Sequence, residues 1–277
     1  MFTLNLRGRL LTIERPLVMG ILNVNSDSFY AGSRVPEVAA CVDRAARMLE
    51  EGADILDIGG QSTRPGSVRV GASEEADRVL PVVEAILGVV PGAVLSIDTY
   101  HASVAKGAVA SGVSMVNDVS AGLMDQAMIQ TVAGLATPYI CMHMQGTPET
   151  MQDAPMYGDV VAEVFDHLSA RLRACREAGI KDVIIDPGIG FGKTVRHNFR
   201  LLSELSLYRH LGVPVMIGVS RKSMVWRTLG IGPEEALNGT SALHAVALMR
   251  GADILRVHDV RAAVEVRELI SLIDSEG

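Results

Sequence analysis

Eight short apolar runs recur along this chain, and nearly every one ends in polar or ionisable residues. They cover 18–24, 54–60, 93–99, 114–118, 138–143, 182–187, 214–220 and 253–258. Most are rich in Val, Ile or Leu, as parallel strands buried on both faces are. Their ends carry Asn23, Asp98, Asn117, His143, Asp186, Ser220 and, in the last, Arg256 with His258. Ser62 and Arg64 follow just past Gly60, and Lys222 just past Ser220. Polar groups at the ends of such runs cost too much without a partner or a use. Eight such ends describe one rim, and a rim of this kind is where a (β/α)8 barrel keeps its active site.

Between the runs, apolar residues recur at helical spacing and predict helices over 37–51, 73–87, 102–111, 125–136, 159–178, 198–210, 239–250 and 259–273. Strict alternation of strand and helix implies parallel strands joined by right-handed crossovers. Residues 2–13 alternate apolar and polar around Arg7 and Gly8, which predicts a hairpin closing the barrel's bottom. The expected fold is α/β, a (β/α)8 TIM barrel with a short N-terminal β-hairpin. A doubly wound open sheet is the alternative, but eight units favour closure. No Pro/Gly/Ser-rich linker or charge block divides the chain, so 1–277 reads as one domain.

A hydrophobic content of 48 % supplies a large core, and the net charge of −7 argues against nucleic-acid and membrane-surface roles. An anionic substrate would need a few cations gathered locally. Cys41, Cys141 and Cys175 show no C-x-x-C spacing and read as buried free thiols of a reducing cytoplasm. Glu14, Arg15 and Pro16 interrupt the early apolar stretch, so no signal peptide is read there, and no run reaches the length of a membrane span.

Residues 182–194 invite a phosphate-loop reading, but only three residues separate Gly188 from Gly192 where four are needed. A strand ending at Asp186, followed by a glycine loop containing Gly190 and Phe191, fits better. Asp186 could accept two parallel N–H donors from a guanidine-like edge, or bond its own turn. Ser220 to Ser223 open a helix in which Ser220 is a candidate N-cap, with Lys222 beside a possible anion site. Alternation puts Arg256 and His258 on one side of the last strand, two donors suited to a diphosphate. The amide oxygen of Asn23 could help hold a magnesium ion that keeps most of its waters. Asp98 and Asn117 offer acceptor and donor edges for a heterocycle. His143 reads as a structural rim histidine.

Taken together these segments resemble the dihydropteroate synthases. The matching stretches are 19–24 with 27–29, 62–66, 96–100, 116–119, 142–148, 186–193, 220–223 and 256–259, in order over almost the whole chain. The resemblance implies condensation of 6-hydroxymethyl-7,8-dihydropterin diphosphate with para-aminobenzoate, through early departure of pyrophosphate. It implies that Asp98, Asn117, Asp186 and Lys222 hold the pterin. It places Asn23, Arg64, Arg256 and His258 on the diphosphate and magnesium, and Phe29, Thr63, Pro65, Phe191 and Ser220 around the aminobenzoate. It further implies inhibition by sulfonamides and a homodimer. No Ser–His or Cys–His pair is evident in the sequence to activate the arylamine. Asn25 and Ser26 depart from the Thr-Pro usual in the first loop, and Gln61 from a usual Glu in the second. Two rival readings share the pterin residues: a catalytically silent pterin-binding paralogue, and a pterin-dependent methyltransferase on the same barrel.

Overall fold

Arg7 and Gly8 both take positive φ, 55° and 98°, a conformation that glycine adopts without strain. A two-residue turn of this kind matches the twist of the strands it joins. It folds β1 (Phe2–Leu6) onto β2 (Arg9–Ile13) in antiparallel register, Phe2 opposite Ile13. The computed structural model describes residues 1–24, 34–61, 69–151 and 154–275.

All eight expected barrel strands form: β3 (Leu17–Asn23), β4 (Ile55–Gly59), β5 (Leu95–Asp98), β6 (Met115–Asp118), β7 (Tyr139–Met142), β8 (Val183–Asp186), β9 (Met216–Ile217) and β10 (Ile254–Val257). Each pairs in parallel with its neighbours in the order β8-β7-β6-β5-β4-β3-β10-β9. A parallel bridge between Ile185 and Val215 joins the two ends, so the sheet closes. Around it run α1 (Arg34–Glu50), α2 (Ala72–Val89), α3 (Ala102–Ala110), α4 (Met128–Leu135), α5 (Val160–Glu177), α6 (Val195–Ser203), α7 (Ser223–Leu229), α8 (Leu237–Met249) and α9 (Val260–Ser275). Among the described residues no helix is long and apolar enough to cross a membrane. All three cysteines are buried and free.

Two elements depart from the sequence expectation. The helix expected over 198–210 begins earlier, at Val195, because Thr194 caps it through the His197 N–H, and a 3-10 turn takes over from Leu205 to Leu211. The helix expected to open at Ser220 starts at Ser223 instead. Arg221 takes φ of 52° in the intervening turn, its N–H on Thr240 Oγ1 and its guanidinium on Asp259 at 2.8 Å. Those partners lie far along the chain, out of reach of a local reading.

The barrel interior is layered. Leu4, Leu6 and Ile13 of the hairpin pack with Leu17, Met19, Ile55, Val94, Met115, Ile140, Ile184, Met216 and Ile254 in one apolar cluster. The hairpin therefore plugs the bottom, as expected. Side chains alternate across a strand, so the residue two positions further points into the same interior one layer up. That step converts Ile55 to Asp57, Met115 to Asn117, Ile184 to Asp186 and Ile254 to Arg256. These four strands alternate around the barrel, as the members of one interior layer do.

Candidate active site

The polar layer is internally bonded. Arg256 donates from Nε to Asp57 Oδ2 at 2.7 Å and from Nη2 to Asp98 Oδ2 at 2.6 Å. Asn117 Nδ2 donates to the same Asp57 oxygen at 2.9 Å. Asp57 is fully buried, while Asp98, Asn117 and Asp186 keep only a sliver of exposure toward the rim. Burial raises Asp98 to about 7, against the pull of Arg256 and with help from Asp57. Burial also raises Asp186, opposed by Lys222. It lowers Lys222 to about 8, against the pull of Asp186. Arg256 is pulled down by burial but held above its ordinary value by Asp57 and Asp98.

Asp186 resolves its two readings by using both oxygens differently. Its Oδ1 accepts the Gly188 N–H at 2.7 Å, bonding its own turn. Its second oxygen remains for a ligand. Gly188 has φ of 69°, and a Cβ there would collide with the carbonyl oxygen of His143. The glycine loop thus packs on the segment after β7. Gly190 lies against the stem of Lys222, where an added Cβ would meet Cδ at 3.2 Å, and donates its N–H to Asn198. Lys222 donates to the carbonyl of Ile189 and stands 4.7 Å over the Phe191 ring. Phe191 in turn packs on a small rim cluster of Tyr100, Val119 and Met142.

His143 is buried and bonds Lys193 Nζ through Nδ1 at 2.8 Å, the structural role its sequence position implied. Lys193 also donates to the carbonyls of Gly188 and Phe191, both at 2.9 Å. It therefore clasps the glycine loop from below, a role hidden by its likeness to a phosphate-loop lysine.

Ser220 does not cap a helix. Its Oγ accepts the His258 N–H at 3.1 Å and lies 3.2 Å from His258 Nδ1. A Ser–His pair not evident in the sequence is thus formed by two strand ends 38 residues apart. It sets the ring orientation of an exposed histidine whose pKa is lowered by desolvation and by Arg256. Phe29, Thr63, Arg64 and Pro65 lie outside the described residues, as do Asn25 and Ser26. Gln61 is described: its Nε2 donates to the Tyr100 hydroxyl at 2.5 Å and its Oε1 accepts the Val70 N–H at 3.3 Å.

Asn23 ends β3 across Gly59 from Asp98. A Cβ on Gly59 would sit 3.8 Å from Asn23 Oδ1 and 3.7 Å from Asp98 Oδ2, so the missing side chain leaves a cradle between two oxygens. Among the described residues no group of three or more His, Cys, Asp or Glu could hold a metal. Asp98 Oδ2 is already taken by Arg256, so it is the amide oxygen of Asn23 that fits a hard cation taking most of its ligands from water and substrate phosphates.

A layer of acceptors and donors at the strand ends, with Lys222 and Arg256 among them, suits a flat heterocycle such as a pterin. The chain belongs to the family of pterin binding enzymes, which matches residues 19–258. It is 41 % identical to the dihydropteroate synthase of Escherichia coli (strain K12) over 266 residues, 95 % of this chain and 94 % of that one. Among solved structures it is similar to the dihydropteroate synthase of Yersinia pestis in complex with a sulfonamide drug, at 39 % identity and a TM-score of 0.92, covering 99 % of this chain and 100 % of the other. It is also similar to the Xanthomonas albilineans enzyme in complex with 7,8-dihydropteroate, at 41 % identity and a TM-score of 0.87, covering 99 % of each.

Proposed function

We infer that this chain is a transferase that condenses 6-hydroxymethyl-7,8-dihydropterin diphosphate with para-aminobenzoate to give 7,8-dihydropteroate and pyrophosphate. The observation that carries this is the polar layer over an apolar plug, in a chain about 40 % identical to dihydropteroate synthases over nearly its full length. Asp186, Asp98, the Asn117 oxygen and Lys222 are acceptors and donors fixed before a ligand arrives, so orienting the ring costs little reorganisation.

An arylamine is a weak base and a modest nucleophile. The site offers it no strong general base: Ser220 and His258 bond one another, and His258 is held below its ordinary pKa. Early departure of pyrophosphate removes the need for one. Arg256 and Arg64 are the cations assigned to the departing charge, with neutral His258 beside them as a hydrogen-bonding group. The ring system, with Asp98 and Asp186 nearby, would stabilise the carbon that becomes electron-poor. Where magnesium is bound, Asn23 would hold it, and it would neutralise diphosphate oxygens. Phe29, Thr63, Pro65, Phe191 and Ser220 are assigned to the aminobenzoate, which makes the same site the target of sulfonamides.

A homodimer belongs to the same proposal. Val246 and Met249 of α8 and Leu269 and Ile273 of α9 are exposed on neighbouring helices that pack together. The test of function is turnover of the two substrates by purified protein, with and without a chelator. Dihydropteroate and pyrophosphate should appear in equal amounts. Pterin binding without turnover would instead establish a silent paralogue, and methyl transfer a methyltransferase.

A further inference from the structure

Three members of the polar layer, Asn117, Asp186 and Arg256, keep some exposure and are the ones assigned to the pterin diphosphate. The fourth, Asp57, has no exposed surface at all. It cannot touch a substrate, yet one of its oxygens takes hydrogen bonds from two residues that do. Its Oδ2 accepts Arg256 Nε from one side of the barrel and Asn117 Nδ2 from the other. Its Oδ1 is buried with no hydrogen-bond partner among the described residues. A carboxylate oxygen left bare in the interior is costly, and apolar residues would fill the position without that cost. The arrangement calls for a use that outweighs it.

We propose that Asp57 is a positioning residue for pterin recognition, fixing the amide of Asn117 with its oxygen toward the ligand and dividing the Arg256 guanidinium between itself and Asp98. The inference rests on the reading of this site as a pterin site. Its chemistry is one of valence. An amide beside a carboxylate must turn its NH2 to it, since two oxygens would repel. Asn117 then commits one N–H to Asp57 and turns its oxygen to the pterin, which selects the ring edge it accepts. Arg256 gives Nε to Asp57 and Nη2 to Asp98, so its plane is fixed and Nη1 is the edge it presents to the departing charge. The negative charge of Asp57 also acts on Asp98 through the shared guanidinium. The groups facing Asp98 are Arg256 from β10, Asp57 from β4, Asp118 from β6, Lys222 after β9 and, from α2, Glu75, a carboxylate raised by burial to about 7. Removing the Asp57 charge therefore makes Asp98 easier to ionise.

Asp57→Asn keeps an oxygen for both donors and removes the charge; Asp57→Ala removes both. Calorimetry with a pterin analogue, together with steady-state KM and kcat over pH, separates the two roles. Asp57→Ala is expected to weaken pterin binding about tenfold or more, while the aminobenzoate KM moves less than about twofold. Asp57→Asn should recover most of the pterin affinity, and its acid limb should move to lower pH. Wild-type turnover with pterin affinity and pH profile unchanged in both variants overturns this proposal alone. An equal loss for both substrates in Asp57→Ala, unrescued by Asn, overturns it in favour of a structural role. If Asp57→Ala does not fold, Asp57→Asn decides: an unmoved acid limb overturns the proposal and a shifted one supports it. Wild-type protein that neither binds the pterin nor turns over overturns the functional reading and this inference with it.

Discussion

At the scale of single residues, the site works through acceptors whose second atom is already committed. Asp186 spends Oδ1 on the Gly188 N–H and offers the other oxygen outward. In Asp186→Asn one acceptor becomes a donor. If the amide keeps its oxygen on Gly188, its NH2 faces a donor of the pterin; if it flips, the turn loses its bond. Either way pterin affinity should fall by about 1–3 kcal/mol, roughly five- to 150-fold, in calorimetry. Unchanged affinity with the fold intact would remove Asp186 from the site. Asp98 and Lys222 set the pH range of the same binding step. Burial raises Asp98 to about 7 and lowers Lys222 to about 8. Accepting N–H donors requires the ionised carboxylate, and full donation requires the ammonium. The affinity of a pterin analogue lacking the diphosphate should therefore peak between these values and fall up to about tenfold per pH unit on the acid side. A flat profile from pH 5.5 to 9 would refute the assignment. His244 is a contrasting case without a catalytic role. Both its ring nitrogens are buried with no partner among the described residues, and desolvation lowers its pKa to about 4, against the pull of Asp259. The unfolded chain binds this proton more readily, so the stability contributed by the neutral ring is complete above about 6.5 and is lost as pH falls toward 4. His244→Leu should gain on wild type by up to about 1.4 kcal/mol per pH unit across that window, measured by urea unfolding. Parallel stability curves would show that the ring finds a partner in solution.

At the scale of elements, the strands and the plug were readable and the turns between them less so. A strand buried on both faces is a near-continuous apolar run, and each of the eight was visible as one. The hairpin was visible because Leu4, Leu6 and Ile13 alternate with polar residues around a turn that admits positive φ. Its function as a plug makes a separable prediction. Leu4 is 2 % exposed within the bottom cluster, so Leu4→Ala should cost about 2–5 kcal/mol of unfolding free energy. The site lies at the opposite end of the strands, so both KM values should hold below the melting temperature; a changed pterin KM would mean that the plug and the polar layer are coupled. The segment after β9 shows what local reading misses. Ser220 sits where a cap belongs, yet its hydroxyl is taken by His258 and the turn is held by Thr240 and Asp259. Lys193 was misleading for the same reason: only the folded packing of 186–193 against His143 turns a glycine-lysine motif into an internal clasp. Asp57 carried a signal, a carboxylate in the middle of the apolar run 54–60. Its partners on β6 and β10 could not be named without closing the barrel.

At the scale of the whole molecule, the layered interior ties stability and function to opposite ends of the same strands. Two residues of chain separate Ile254 in the plug from Arg256 in the site, and the same step recurs on three other strands. Displacement of a whole strand, unlike the loss of one plug side chain, would therefore disturb both, and a rigid outer layer is of value. Self-association is one way to supply it. Val246, Met249, Leu269 and Ile273 are 39 %, 66 %, 65 % and 60 % exposed near the C-terminal ends of α8 and α9, more apolar surface than a solvated helix pair needs. Burying them against a second copy would remove that surface from water and brace β10, which lies between these two helices in the chain and carries Arg256. The expected result is sedimentation at twice 29.5 kDa at micromolar concentration. The double change Met249→Asp, Leu269→Asp should give monomers by placing two charges where the partner would lie. Its melting temperature should become independent of protein concentration, whereas that of the wild type rises with it. Wild-type protein sedimenting at 29.5 kDa at every concentration tested would rule the dimer out. A double variant that remained dimeric would place the interface on another face.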